Sequence, residues 1–247
     1  MDNCRAVVDE DGALWMAGRE GIASLDEAGW TLYLEDSTGE AWSDLYPRVD
    51  IGEVEEPPRW DIALAAGEVR AAMLRTDRMW VFRDGVWSPV TNALPGWAGT
   101  ISDLATGDDG TMWVLSQHGA HSLIDGSWNH HRSGNGGPPE NAHSIGSGGG
   151  VVWIGAPGEQ ARFDGMKWTS YGQHTFWLSD IDEVFVDSAG GVWGRDADGT
   201  VRFDGTSTHR IAAVYGGDEF MQPLAVDAEG AWWLVGYGAV YRWEPLS

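Results

Sequence analysis

The chain has 247 residues, 43% of them hydrophobic, with 16 Trp, 35 Gly and a formal net charge of −23. A balance of this sign repels phosphate backbones and anionic headgroups, which argues against nucleic acid and membrane surfaces as partners. The single cysteine, Cys4, allows no internal disulfide and no Cys-based zinc site, and no run reaches the ~20 apolar residues that span a bilayer.

The N-terminal segment MDNCRAVVDEDG has neither a basic start nor an apolar run, so a cytoplasmic protein without a signal peptide is expected. Its first strand, A, is read at Cys4–Val8. A turn at Asp11-Gly12 follows, then strand B in LWMAG around Trp15, and a further Trp at Trp30. An acidic insertion covers Glu35–Pro58. The next copy is GEVRAAMLRTDRMWVFRDGVW, in which spacing puts Met73 at the place of the strand-B Trp.

From there the repeat is regular. Trp113, Trp153, Trp193 and Trp233 are 40 residues apart. Gly12, Gly110, Gly150, Gly190 and Gly230 each stand three residues before that Trp, as a tight hairpin requires. A second turn follows at Asp84-Gly85, Asp125-Gly126, Asp164-Gly165 and Asp204-Gly205, and a second Trp at Trp87, Trp128 and Trp168. Each unit reads as four short antiparallel strands, A to D. A period near 40 with recurrent Trp predicts an all-β fold, a six-bladed β-propeller in one domain over residues 1–247. Its Trp residues pack sheet against sheet. The last copy ends before its strand-D Trp, so a three-stranded last blade is expected.

The pattern D-x-x-G-x-x-W-x-G…G-x-x-R-F-D-G-x-x-W is best kept in VDSAGGVWGRDADGTVRFDG and GGGVVWIGAPGEQARFDGMKW. It resembles the propeller repeat of bacterial two-component-regulator sensors and is similar to the repeat of streptogramin lyases. The resemblance implies a propeller and, through the two groups, either ligand sensing or a lyase-like activity.

The D-to-A connections are long and emerge on one face, the top, where a site is expected. They carry Trp60, Trp97, Phe176, Trp177, His130, His131 and His174. Ten residues before each strand-B Trp stand Arg5, Ala63, Asp103, His143, Glu183 and Pro223, with Asp61, Asn141, Asp182 and Gln222 close by. A regular repeat would bring Asp103, His143 and Glu183 to one height at the channel mouth. There His143 would act as general base or acid, tuned by the two carboxylates, and Arg5 would hold an anionic group. Asp61, Trp60, Trp97, Trp177, Phe176, His174, Asn141, Asp182, Gln222 and Tyr237 are the candidate lining.

The function expected from these residues is small-molecule binding at the top of the channel, with acid–base lyase, isomerase, cyclase or hydrolase chemistry as its catalytic form. The alternative is a non-catalytic sensor that recognises a ligand, a glycan or a protein partner. No cofactor is required, although a divalent cation in the channel is compatible with the carboxylates. The same polar residues would equally arise if they only pair with Arg5.

Overall fold

A computed structural model describes residues 5–9, 11–18, 21–33, 59–65, 67–90, 93–133, 137–139, 142–172, 184–196, 199–212, 222–226, 231–236 and 239–243. Every regular element among them is a β-strand. Sheet 1 comprises β1 (Arg5–Val8), β2 (Leu14–Gly18), β3 (Gly21–Asp26) and β4 (Gly29–Tyr33). Sheet 2 comprises β5 (Trp60–Ala65), β6 (Glu68–Met73), β7 (Met79–Arg83) and β8 (Val86–Pro89). Sheet 3 comprises β9 (Ile101–Thr106), β10 (Met112–Ser116), β11 (Gly119–Ile124) and β12 (Ser127–His131).

Sheet 4 comprises β13 (Ser144–Gly148), β14 (Val151–Ala156), β15 (Glu159–Phe163) and β16 (Trp168–Tyr171). Sheet 5 comprises β17 (Phe185–Val186), β18 (Val192–Asp196), β19 (Gly199–Phe203) and β20 (Thr208–Ala212). Sheet 6 has three strands among the described residues, β21 (Gln222–Val226), β22 (Trp232–Gly236) and β23 (Ala239–Trp243). All six are antiparallel meanders in chain order.

The turns explain why the strands fall where they do. Gly12, Gly110, Gly150 and Gly190 have φ of +83°, +77°, +74° and +79°, which a β-carbon would resist. Asp84-Gly85 and Asp125-Gly126 are positive at both residues, with Asp φ of 50° in each pair, the two-residue hairpin turn that suits twisted strands.

The acid of the repeat motif has a job in two sheets. Asp9 accepts the Ala13 N–H (2.8 Å) and the Trp15 indole N–H (2.7 Å), tying the A-to-B turn to the Trp. Asp187 does the same for Gly191 N–H (3.0 Å) and Trp193 Nε1 (2.9 Å), and it also takes Arg202 Nε at 2.5 Å.

The apolar core lies between sheets. One cluster joins Trp15 and Ile22 of sheet 1 to Ile62, Ala71 and Trp80 of sheet 2. Others join sheets 2 and 3 through Met79 and Leu104, sheets 3 and 4 through Trp113 and Ile154, and sheets 4 and 5 through Trp153 and Phe203. The contact recurs in kind. Trp15 meets Phe82 and Trp87 of the next sheet at ring-centroid distances of 4.6 and 5.8 Å, and Trp113 meets Phe163 and Trp168 at 5.4 and 6.1 Å. A lone four-stranded sheet could not bury these rings, so each completes its neighbour's core.

Sheet 2 departs from the spacing. Asp61 faces Ala72, and Arg70, two residues before Ala72, faces Ala63. In sheet 3, Asp103 faces Leu115 and Trp113 faces Ala105. Arg70 and not Met73 therefore holds the register position of the strand-B Trp, and the indole comes from the next strand, as Trp80. Trp60, expected in a loop, is the first residue of β5. It is buried against Trp80 with ring centroids 5.0 Å apart.

Candidate functional site

The strand-A ends of sheets 1 to 4 carry Arg5, Asp61, Asp103 and Ser144 at matching positions, facing Ala17, Ala72, Leu115 and Gly155. The acids act as rungs between sheets. Asp61 accepts its neighbour Ile62 N–H and, across to sheet 3, Leu104 N–H, both at 2.8 Å. Asp103 accepts Leu104 N–H at 2.9 Å and, across to sheet 4, Ile145 N–H at 2.7 Å. Arg5 closes the arrangement. Its Nε lies 3.0 Å from Asp61 Oδ1, one Nη donates to Asp103 Oδ1 at 2.8 Å, and the other donates to the Leu104 carbonyl.

One guanidinium faces two buried carboxylates. Burial pushes Asp103 well above the ordinary carboxylate range, Arg5 opposes the shift, and the nearby Asp61 adds to it. The acceptor oxygens of both acids are spent on backbone N–H groups and Arg5, so the cluster serves first to fasten sheets 1 to 4 at their inner ends. No group of three or more His, Cys, Asp or Glu arranged to hold a metal occurs among the described residues.

His143 does not join this cluster. The A–B hairpin of sheet 4 is one residue shorter than that of sheet 3, since Trp153 faces Gly146, seven positions away, while Trp113 faces Ala105, eight away. A one-residue slip turns a side chain to the opposite face of a strand. Ser144 therefore takes the inner position, fully buried, and His143 is exposed just before β13. The expected convergence of Asp103 and His143 is thus corrected to Asp103 and Ser144. A local signal was present, because Asp61-Ile62-Ala63 and Asp103-Leu104-Ala105 share one pattern and Ser144-Ile145-Gly146 continues it.

Glu183, Asn141, Asp182, Phe176, Trp177, His174 and Tyr237 lie outside the described residues, and Gln222 is described only as a backbone position in β21.

The second concentration of chemistry is at the top of sheet 3. Trp97 sits in the connection between β8 and β9 and is 49% exposed. The connection is pinned beneath it, for Leu94 and Ala98 are buried in the core shared by sheets 2 and 3, and Ala98 N–H bonds to the Pro95 carbonyl at 2.8 Å. The Trp97 ring meets His130 edge-on at 4.3 Å and lies 5.5 Å from His121, and the Arg132 guanidinium stands over it at 6.0 Å.

His130 and His131, expected in a loop, are instead the last residues of β12. His121 is fully buried on β11, with Nε2 2.9 Å from Ser116 Oγ. That hydroxyl already donates to the Gly119 carbonyl (3.1 Å), so His121 Nε2 carries the proton and Nδ1 is a bare acceptor, which has no partner. His131 accepts the Trp168 indole N–H at Nδ1 (3.2 Å), so its Nε2 donates to Ser122 Oγ (3.0 Å). Burial lowers the pKa of His121 and of His131 to about 4 each, with neighbouring imidazoles adding to the effect. His130 is lowered too, by burial and then by Arg132. The arrangement offers an exposed aromatic surface, one cation and neutral imidazoles.

No family model matches the chain, and no curated protein sequence matches it. Solved structures do. A streptogramin B lyase aligns over 95% of this chain and 76% of its own, with a TM-score of 0.61 at 15% identity. The extracellular domain of a putative hybrid two-component system from B. thetaiotaomicron aligns over 97% of this chain but only 33% of its own, with a TM-score of 0.64 at 12% identity. YCF48 bound to D1 peptide aligns over 97% and 74%, with a TM-score of 0.56 at 14% identity. The chain is therefore similar in fold to streptogramin lyases and to two-component-system propellers, an all-β architecture of four-stranded antiparallel sheets, and identity this low carries the fold alone.

Proposed function

We propose that residues 1–247 form one six-bladed β-propeller that recognises a ligand on its top face without transforming it, at the Trp97 surface of sheet 3. The observation that carries this reading is Trp97, a large aromatic half in solvent on a connection that the core holds down. An exposed indole beside a guanidinium and neutral imidazoles suits a small molecule with a flat or sugar-like face. Neighbours of the same fold include a protein described as bound to a peptide and one described as a lyase, so a peptide segment and a small molecule are both within reach of the scaffold.

The acid–base alternative keeps one observation, the upward shift of Asp103. Against it stand the engagement of Asp103 with Arg5 and two N–H groups, and the exposure of His143 away from it.

A thermal-shift screen of metabolites, oligosaccharides and short peptides tests the proposal, because a ligand stabilises the native state by mass action. A hit that disappears in Trp97→Ala and persists in His143→Ala is expected. A hit that depends on His143 and is turned over would replace this reading with the enzymatic one.

A further inference from the structure

Three histidines lie at the top of sheet 3, on its two faces, and no acid stands beside them among the described residues. The His121 and His130 rings are 4.7 Å apart, and both keep a buried Nδ1 with no hydrogen-bond partner. His131, one residue on, faces the other side of the sheet and enters the seam with sheet 4. There Trp113, Phe163 and Trp168 surround it at 4.8, 5.2 and 5.7 Å. Its bond from Trp168 is a polar link between sheets 3 and 4, and it exists only while Nδ1 has a free lone pair.

From β10 come Ser116 and Trp113, from β11 Ser122, and from the connection before β9 Trp97, none of them charged. From sheet 4 come Phe163 and Trp168, while Arg162 of β15 lies toward Gly205 of sheet 5. The charged neighbour is Arg132, a cation, and His118 is exposed on the adjoining turn. No carboxylate among the described residues contributes to the electrostatics of the three imidazoles.

We propose that this cluster is a proton-operated latch: protonation of His121 and His131 frees the top of sheet 3 from sheet 4 and dissolves the Trp97 surface, so that ligand is held near neutral pH and released in acid. The ligand part rests on the reading of Trp97 given above; the latch itself does not. Two steps produce it. A proton on His131 Nδ1 removes the acceptor for the Trp168 N–H and sets two donors against each other. A proton on His121 Nδ1 places an uncompensated charge in a fully buried site beside the His130 ring. Both imidazoles gain their protons more readily once exposed, so acid favours the open form.

The test needs no ligand. Hydrogen exchange of the free protein at pH 7.5 and pH 4.5, corrected for intrinsic rates, compares residues 119–131 with β6 and β7 of sheet 2. Loss of protection by about tenfold or more, confined to residues 119–131 and their seam with sheet 4, is expected at the lower pH. His131→Gln retains an acceptor for Trp168 without titrating while His121 still titrates, so it is expected to lose clearly less of that protection than wild type.

Protection unchanged between the two pH values, or lost equally across sheet 2, overturns the latch, as does an undiminished loss in His131→Gln. Should that variant fail to fold, NMR titration of the wild-type imidazoles decides instead: midpoints at the ordinary histidine value overturn the proposal and midpoints below about 5 support it. Binding that Trp97→Ala leaves intact at pH 7.5 would remove the ligand reading and leave the latch standing.

Discussion

Arg5 and Asp103 are 98 positions apart in the chain, and their side chains meet at 2.8 Å. Through that contact, and through Asp61 at 3.0 Å, the first strand of sheet 1 is bound to sheets 2 and 3 at their inner ends.

Removing this cation should be costly. Arg5→Ala leaves two buried carboxylates facing each other, and a loss of about 3 kcal/mol is expected in urea unfolding. Arg5→Lys should recover part of it, since an ammonium restores charge but not the fork that reaches both acids.

The acids of the repeat motif should differ in weight. Asp187 is 2% exposed and holds the Arg202 guanidinium as well as the Trp193 indole, so Asp187→Ala orphans a buried charge and should cost about 3–5 kcal/mol. Among the described residues Asp9 accepts N–H groups alone, and Asp9→Ala should cost about 1–2 kcal/mol. Equal losses in denaturant melts would contradict this ranking.

Two adjacent glycines separate packing from backbone conformation. A β-carbon on Gly149 would lie 2.2 Å from the Gly190 backbone nitrogen in sheet 5, whereas one on Gly150 meets nothing within 4 Å. Both have positive φ, +58° and +74°. Gly150→Ala should therefore lose only the conformational term, about 1–2 kcal/mol. Gly149→Ala should lose clearly more, because backbone of the next sheet has to move. Paired thermal melts of the two variants measure the difference.

Stability should fall on the acid side of neutrality. His121 and His131 have folded values of about 4, below their ordinary 6.5, so the unfolded chain binds more protons in that interval. Their contribution is complete above pH 6.5, is lost progressively as pH falls toward about 4, and changes no further below that. His121→Gln and His131→Gln should each flatten the slope of melting temperature against pH in this window. His143→Ala, at an exposed position, should leave stability at pH 7.5 within about 0.5 kcal/mol of wild type.

Much of this architecture is legible residue by residue. Trp15, Trp113 and Trp153 recur because each sheet needs its neighbour's rings, and Gly12, Gly110 and Gly150 recur because only glycine accepts those turns without strain. Such requirements are local or periodic, so they leave a mark at fixed spacing.

The functional geometry is different in kind. A hairpin one residue shorter in sheet 4 exchanged His143 for Ser144 at the inner end, and a shifted register in sheet 2 replaced Ala63 by Asp61. Counting back from Trp153 cannot detect the change in sheet 4, because facing alternates with every residue while the spacing from Trp113 to Trp153 is kept, and in sheet 2 Arg70 holds the register position, so a count from Met73 starts at the wrong residue. The His131–Trp168 bond likewise joins two sheets, and its partners share no local pattern. The amino-acid sequence by itself determined the repeat, its strands and its turns. Which polar groups meet was decided only in the tertiary structure, where hairpin length sets the facing of each side chain and packing between sheets sets its partner.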